Sequence, residues 1–186
     1  MGNFYVNHTL FGPTQEQVTS ALVGKSAAVL PARNRCVVVC EEQSDSQTAL
    51  VITDLGKELS RKLSCPVLAV MNHDDDILVY WLFEEGQIAD EYNSNPDYFE
   101  ETEDHRGPTG GDAVKLIDAM GVGSDAAAVE EILRAPGDEY VFAFMRHAAL
   151  IAELEISELA LCCSYSSIAE GSLPDGVKEK EIVRTK

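Results

Sequence analysis

Apolar positions along this chain follow two periods. The stretches Phe4 to Leu10, Ser26 to Leu30 and Arg35 to Glu41 read as strands, and in the last Cys36, Val38 and Cys40 share one face while Val37 and Val39 share the other. Between them the spacing turns helical. Val18, Ala21 and Leu22 fall on one face of a short helix, and Thr48, Val51, Ile52, Leu55, Leu59 and Leu63 on one stripe of a longer one reaching about Ser64. Thr14-Gln15-Glu16-Gln17 and Ser44-Asp45-Ser46-Gln47 have capping-box spacing at the two helix starts. Gly24 closes the first helix, and Cys65-Pro66 stops the second because proline lacks the donor a helix needs.

Val67 to Met71 is the next strand. The order strand, helix, strand, strand, helix, strand is the split βαβ plan of a ferredoxin-like sandwich, with helices on one sheet face. Asn72 to Asp76 then makes a polar reversal, Ile77 to Phe83 a strand, Glu84-Glu85-Gly86 a turn and Gln87 to Tyr92 another strand. Seven apolar residues in a row from Ile77 to Phe83 demand cover on both faces. The fold class is therefore α+β: an antiparallel-rich sheet starting as a ferredoxin-like βαββαβ unit, extended by a β-hairpin, with a helical C-terminal part packed on it.

The predicted organisation is a sheet domain over 1–92, an acidic and Gly-rich loop or linker over 93–111, and a helical part over 112–186 packing on the same core as one compact unit. Asp112, Ser124 and Asp138 are the expected caps of three helices, the last running from about Glu139 to Ile156. Leu159 to Ile168 reads as a final strand, and the tail with Lys178, Lys180, Arg184 and Lys186 as solvated.

Charge changes the picture. The formal net charge of 186 residues is −18, and residues 63–105 hold twelve carboxylates and no Lys or Arg. Such a surface repels phosphate backbones and anionic lipid, which excludes nucleic acid and membrane surfaces as partners. No apolar run approaches the roughly 18 residues of a membrane helix. The N-terminus has no signal-peptide pattern, and five cysteines have no disulfide-framework spacing, so a reduced, cytoplasmic protein is expected.

The candidate chemistry is sparse. His73-Asp74-Asp75-Asp76 sets carboxylates beside an imidazole, and His73, Asp74 and Asp76 are weak candidates for an oxygen-preferring divalent cation. Aspartates also gather in hairpin turns for backbone reasons, and that reading is favoured. Cys36 and Cys40 lie in an apolar strand, and Cys162-Cys163 has no base nearby in sequence, so no catalytic residue and no cofactor is assigned.

The favoured functional expectation is a non-catalytic interaction module for a basic partner, for example a neutralising, immunity-type or adaptor protein. Its contact surface would include Asp74, Asp75, Asp76, Asp97, Glu100, Glu101, Glu103 and Asp104. The competing expectation is a small metal-dependent hydrolase using His73-Asp74-Asp75-Asp76. An edge strand at Gln87 to Tyr92 adds a route to a homo-oligomer.

Overall fold

The computed structural model describes residues 2–99, 107–120 and 123–186. Among these residues eight strands form one antiparallel sheet: β1 (Tyr5–Phe11), β2 (Ala27–Val29), β3 (Cys36–Glu41), β4 (Val67–His73), β5 (Ile77–Glu84), β6 (Gln87–Asn93), β7 (Thr109–Gly110) and β8 (Val183–Thr185). Their order across the sheet is β7-β6-β5-β4-β1-β3-β2-β8. Among the described residues six α-helices accompany it: α1 (Gln15–Ala21), α2 (Ala49–Leu63), α3 (Ala113–Met120), α4 (Ala126–Arg134), α5 (Ala143–Glu153) and α6 (Tyr165–Ala169). The chain is α+β, and its first six strands and helices are loosely consistent with a ferredoxin-like start.

Strand alternation divides the core in two. On one face Val6, Leu10, Val37, Val39, Ala69, Trp81 and Phe83 pack with Val18 of α1 and with Ile52, Leu55 and Leu59 of α2. On the other, Tyr5, Val38, Cys40, Val70, Leu78, Tyr80 and Leu82 pack with Leu116, Leu133, Leu150 and Ile168 from the C-terminal helices. The apolar run of β5 is thus covered on both sides, since successive side chains point to opposite faces. α2 reaches β5 at a glycine: a Cβ on Gly56 would lie 2.3 Å from Phe83 Cε2. Burying a ring such as Phe83 contributes roughly 1.5–3 kcal/mol.

Several expected elements differ from those observed. The Thr14 capping box is present at α1, but Ser44 does not cap α2. Residues Gln43–Ser46 form a 3-10 turn, Gln47 has φ +56°, and the chain restarts at Thr48. A left-handed residue ends one helical segment before the next begins, so Ser44 turns back to the Glu41 carboxylate instead. Ser64, with φ +50°, ends α2 one residue ahead of Cys65-Pro66.

Asp112 accepts from the N–H groups of Val114 and Lys115 at the start of α3. Asp125 rather than Ser124 caps α4, because the Ser124 hydroxyl donates to the Glu153 carbonyl. α5 begins at Ala143, after Asp138, and Phe142 at its cap position offers no side-chain acceptor. The expected strand at Leu159 to Ile168 is a 3-10 turn (Glu158–Ala160) followed by α6, where Ser164 and Ser167 form a capping box. Serines that fit neither core nor helix interior serve as caps. The tail is not merely solvated: β8 pairs with β2 through Ala27–Thr185, Ala28–Arg184 and Val29–Val183.

Within 93–111, Thr109 and Gly110 pair with Asn93 and Tyr92 of β6. Arg134 holds that short strand by donating to the carbonyls of Gly110 and Gly111, each at 2.7 Å. No helix among the described residues is long and apolar enough to cross a membrane.

Candidate functional site

β4 and β5 meet at the pair His73–Ile77, and Asp74, Asp75 and Asp76 reverse the chain between them. Asp74 and Asp75 sit at φ +52° and +63°, a region that aspartate tolerates better than most residues. Each of the three carboxylates then anchors something different. Asp74 Oδ1 accepts from the Gly2 N–H at 2.9 Å. Asp75 Oδ2 accepts from the main-chain N–H and the side-chain amide of Asn3, at 2.9 and 2.8 Å. Asp76 Oδ2 accepts from the Tyr98 hydroxyl at 3.0 Å. The first contact needs glycine, since a Cβ on Gly2 would come 2.0 Å from the Asp74 carbonyl oxygen.

Inward from the turn runs a buried polar chain. Asn72 donates to Asp75 Oδ1 at 3.3 Å and to the Tyr5 oxygen at 3.4 Å, while its own side-chain Oδ1 accepts from the Asp75 N–H. The Tyr5 oxygen lies 2.8 Å from His147 Nδ1 on α5. Tyr5 and His147 share this one hydrogen bond, with the hydroxyl as donor when the imidazole proton sits on Nε2. Burial lowers the His147 pKa from 6.5 to about 3, so the imidazole is neutral at physiological pH. Burial raises the Tyr5 hydroxyl well above its usual range, so it stays protonated at physiological pH. Tyr5, Asn72 and His147 were not singled out by sequence reasoning as site residues. The available signal was polar side chains within strands that otherwise read as core.

Outward from the turn is a group of rings. The His73 centroid lies 4.9 Å from Phe4, 6.0 Å from Tyr98 and 5.4 Å from Phe99, all near edge-to-face, and Tyr98 and Phe99 are 4.9 Å apart. Gln47 fixes the imidazole: its amide nitrogen donates to the Asn72 carbonyl at 2.8 Å, which turns its oxygen towards His73 Nδ1. Phe4 is 49% exposed and Phe99 74% exposed.

The predicted contact residues therefore separate. Asp76 is exposed, Asp74 half-buried, and Asp75 and Asp97 buried. Glu100, Glu101, Glu103 and Asp104 lie outside the described residues. No Lys or Arg among the described residues forms an ion pair with Asp74, Asp75 or Asp76, nor with Glu84, Glu85 or Glu91 further along the hairpin. For a metal, the candidates His73, Asp74 and Asp76 already have Gln47, Gly2 and Tyr98 as partners, and no cluster of three or more metal-ligating side chains occurs among the described residues.

A cavity of about 530 Å³ opens beside the turn, lined by Asp75, Asp76, Tyr140 and Arg146 among others. Arg146 is 2% exposed, stacks 4.7 Å from the centroid of the Tyr140 ring and donates to the carbonyls of Ile132 and Ala135. Elsewhere, Cys40 and Cys163 bring their sulfurs to 3.2 Å in the core, while Cys162 is exposed. Asn7 donates to the carbonyls of Ala160 and Cys163, fastening the C-terminal segment to β1. In comparisons with known proteins, no family model, curated protein or solved structure matches this chain.

Proposed function

We propose that this protein is a non-catalytic interaction module for a basic protein partner, with the β4–β5 turn and its ring cluster as the contact. The observation that carries the reading is the group of exposed Phe4 and Phe99 around half-buried His73 and Tyr98, set at a turn whose carboxylates have no cationic partner among the described residues. Surface rings are the usual anchors of protein interfaces. Surrounding negative charge accelerates encounter with a basic partner and repels acidic ones. A concrete form is a neutralising protein of the immunity type, or an adaptor, acting on a basic enzyme in the cytoplasm. We also read the strand order β4-β1-β3-β2, with α1 and α2 on one face, as a ferredoxin-like start that the β5–β6 hairpin extends.

A second reading is a small metal-dependent hydrolase built on His73-Asp74-Asp75-Asp76. The cavity beside Asp75 and Asp76 favours it. The Asp74 and Asp75 carboxylates would have to hold the metal through lone pairs not taken by the N–H donors they now hold. Divalent-metal titration followed through Trp81 fluorescence separates the two readings, a saturable change supporting the hydrolase.

The interaction reading is tested by affinity capture from native extract at low salt with elution by rising salt. The comparison is a variant with Asp76, Glu100, Glu101, Glu103 and Asp104 replaced by their amides; Asp97 is left alone because it is buried. A basic protein that elutes at moderate salt and is lost with the variant is the expected result. Capture of the same material by both proteins would sink the reading.

A further inference from the structure

We infer that the ring cluster around His73 is a preassembled seat for an arginine side chain of the basic partner, an inference that rests on the interaction reading above. Three separate chain segments meet there: the residues preceding β1 bring Phe4, the end of β4 brings His73, and the segment after β6 brings Tyr98 and Phe99. The acidic triplet assembles them. Asp74 holds Gly2 and Asp75 holds Asn3, which together fix the approach of Phe4, and Asp76 holds the Tyr98 hydroxyl beside Phe99. These bonds hold the rings in place before a ligand arrives, which lowers the ordering cost of binding.

The geometry suits a cation. The interplanar angles of His73 with Phe4, Tyr98 and Phe99 are 81°, 72° and 70°, so the rings form corners and not one flat plate. Ring faces are negative, and a cation placed against them is attracted most where part of its hydration is removed. Asp76 stands at the rim, exposed, with a carboxylate that already polarises the Tyr98 hydroxyl and raises its pKa. An apolar occupant would have to cover this carboxylate and gain nothing from it.

Between the two common cations, arginine fits better than lysine. Guanidinium is planar, weakly hydrated and able to lie on a ring while its edge donates to a carboxylate. Ammonium is compact and holds its water. The partner is thus expected to present arginine in an exposed basic segment, and charge alone does not describe the recognition.

The test uses the full chain and three short synthetic peptides identical but for one residue type: arginine, lysine or citrulline in a glycine–serine background. Binding is followed by calorimetry at low and moderate salt. The arginine peptide should bind roughly fivefold tighter than the lysine peptide, a cation–π increment at a partly exposed site. Citrulline should not bind measurably. Phe99→Ser and Phe4→Ser should each erase the preference for arginine while leaving the salt-sensitive component. Both rings are largely outside the core, and unchanged urea unfolding confirms that the variants fold.

Equal binding of arginine and lysine peptides, or an arginine preference that survives both ring variants, overturns the seat and leaves the charge-based reading standing. No salt-sensitive binding to either cationic peptide overturns both. Concentration-dependent dimerisation that disappears with Phe99→Ser would also overturn the seat, because the rings would then bind a second copy of this chain.

Discussion

The main-chain carbonyl of Asp75 accepts the N–H of Ala143 across 2.6 Å, so the reversal between β4 and β5 caps a helix remote from it in the chain. α5 has no capping side chain of its own, since Phe142 occupies the cap position. The first N–H groups of a helix need acceptors from outside it, and one of them is this turn. The same residue holds the N-terminal segment through its carboxylate. Asp75 thereby joins three parts of the molecule: the residues before β1, the central hairpin and the helix carrying His147.

Replacing Asp75 should therefore cost more than its place in a polar loop suggests. Asp75→Ala leaves the buried Asn72 amide without one acceptor and puts a β-carbon residue without a hydrogen-bonding side chain at φ +63°. The expected loss is about 2 kcal/mol from the unmet donors, with about 1 kcal/mol more from the left-handed backbone. Asp75→Asn keeps one side-chain oxygen and the tolerance for that conformation, so its loss should be smaller. Urea midpoints of the two variants against wild type measure this, and an Asp75→Ala midpoint equal to that of wild type would refute the anchoring role.

His147 predicts the acid side of the stability profile. Its pKa is about 3 in the folded state against 6.5 when exposed, and burial lowers that of His8 in the same direction. Between the two His147 values the unfolded chain binds more protons than the folded one, so the stability from its neutral imidazole is complete above pH 6.5 and is lost as pH falls towards 3, and the His8 contribution has the same sign. For His147 the slope reaches about 1.4 kcal/mol per pH unit. Unfolding measured between pH 6.5 and 5 stays above the ordinary carboxylate range. His147→Gln should lower stability at pH 7 and reduce that slope; an unchanged slope would mean that the imidazole is already protonated or solvated in the native protein.

How legible the structure was depended on whether the deciding partner was close in sequence. The strands from β1 to β6 and the Thr14 cap are local patterns, and they could be read from periodicity and spacing. α5 could not be placed correctly, because Asp138 looks like a cap in sequence while the acceptor used comes from Asp75. Ser164 to Ser167 looked extended because serine is a poor helix interior residue, yet Ser164 is a cap and Ser167 returns its bond. The strand at Val183–Thr185 is too short to show a period, and only its pairing with β2 creates it. The acidic triplet was visible as charge. Its work as three anchors was not, because Gly2, Asn3 and Tyr98 are contacts that folding alone brings together. Tyr5 and His147 carried a fainter signal, as polar groups inside apolar stretches whose partner for each is the other.

The cysteines give a test of how the C-terminal segment lies on the sheet. Cys162 is exposed, whereas Cys163 beside it is 2% exposed and Cys40 fully buried, with their sulfurs 3.2 Å apart across the contact between β3 and the segment leading to α6. Burial raises the Cys40 thiol well above its ordinary range, and burial likewise raises Cys65 to about 11, so neither supplies much reactive thiolate at neutral pH. Burial raises the Cys162 thiol as well, so it is exposure that should make iodoacetamide modify Cys162 first in the native protein. Cys40 and Cys163 should follow together, at the rate at which the segment opens, and mild urea below the unfolding transition should accelerate both equally. Peptide mapping by mass spectrometry over time reads the order directly. Should Cys163 react as fast as Cys162, the segment is not seated on β1 and β3, and the bonds from Asn7 to the Ala160 and Cys163 carbonyls do not hold it in solution.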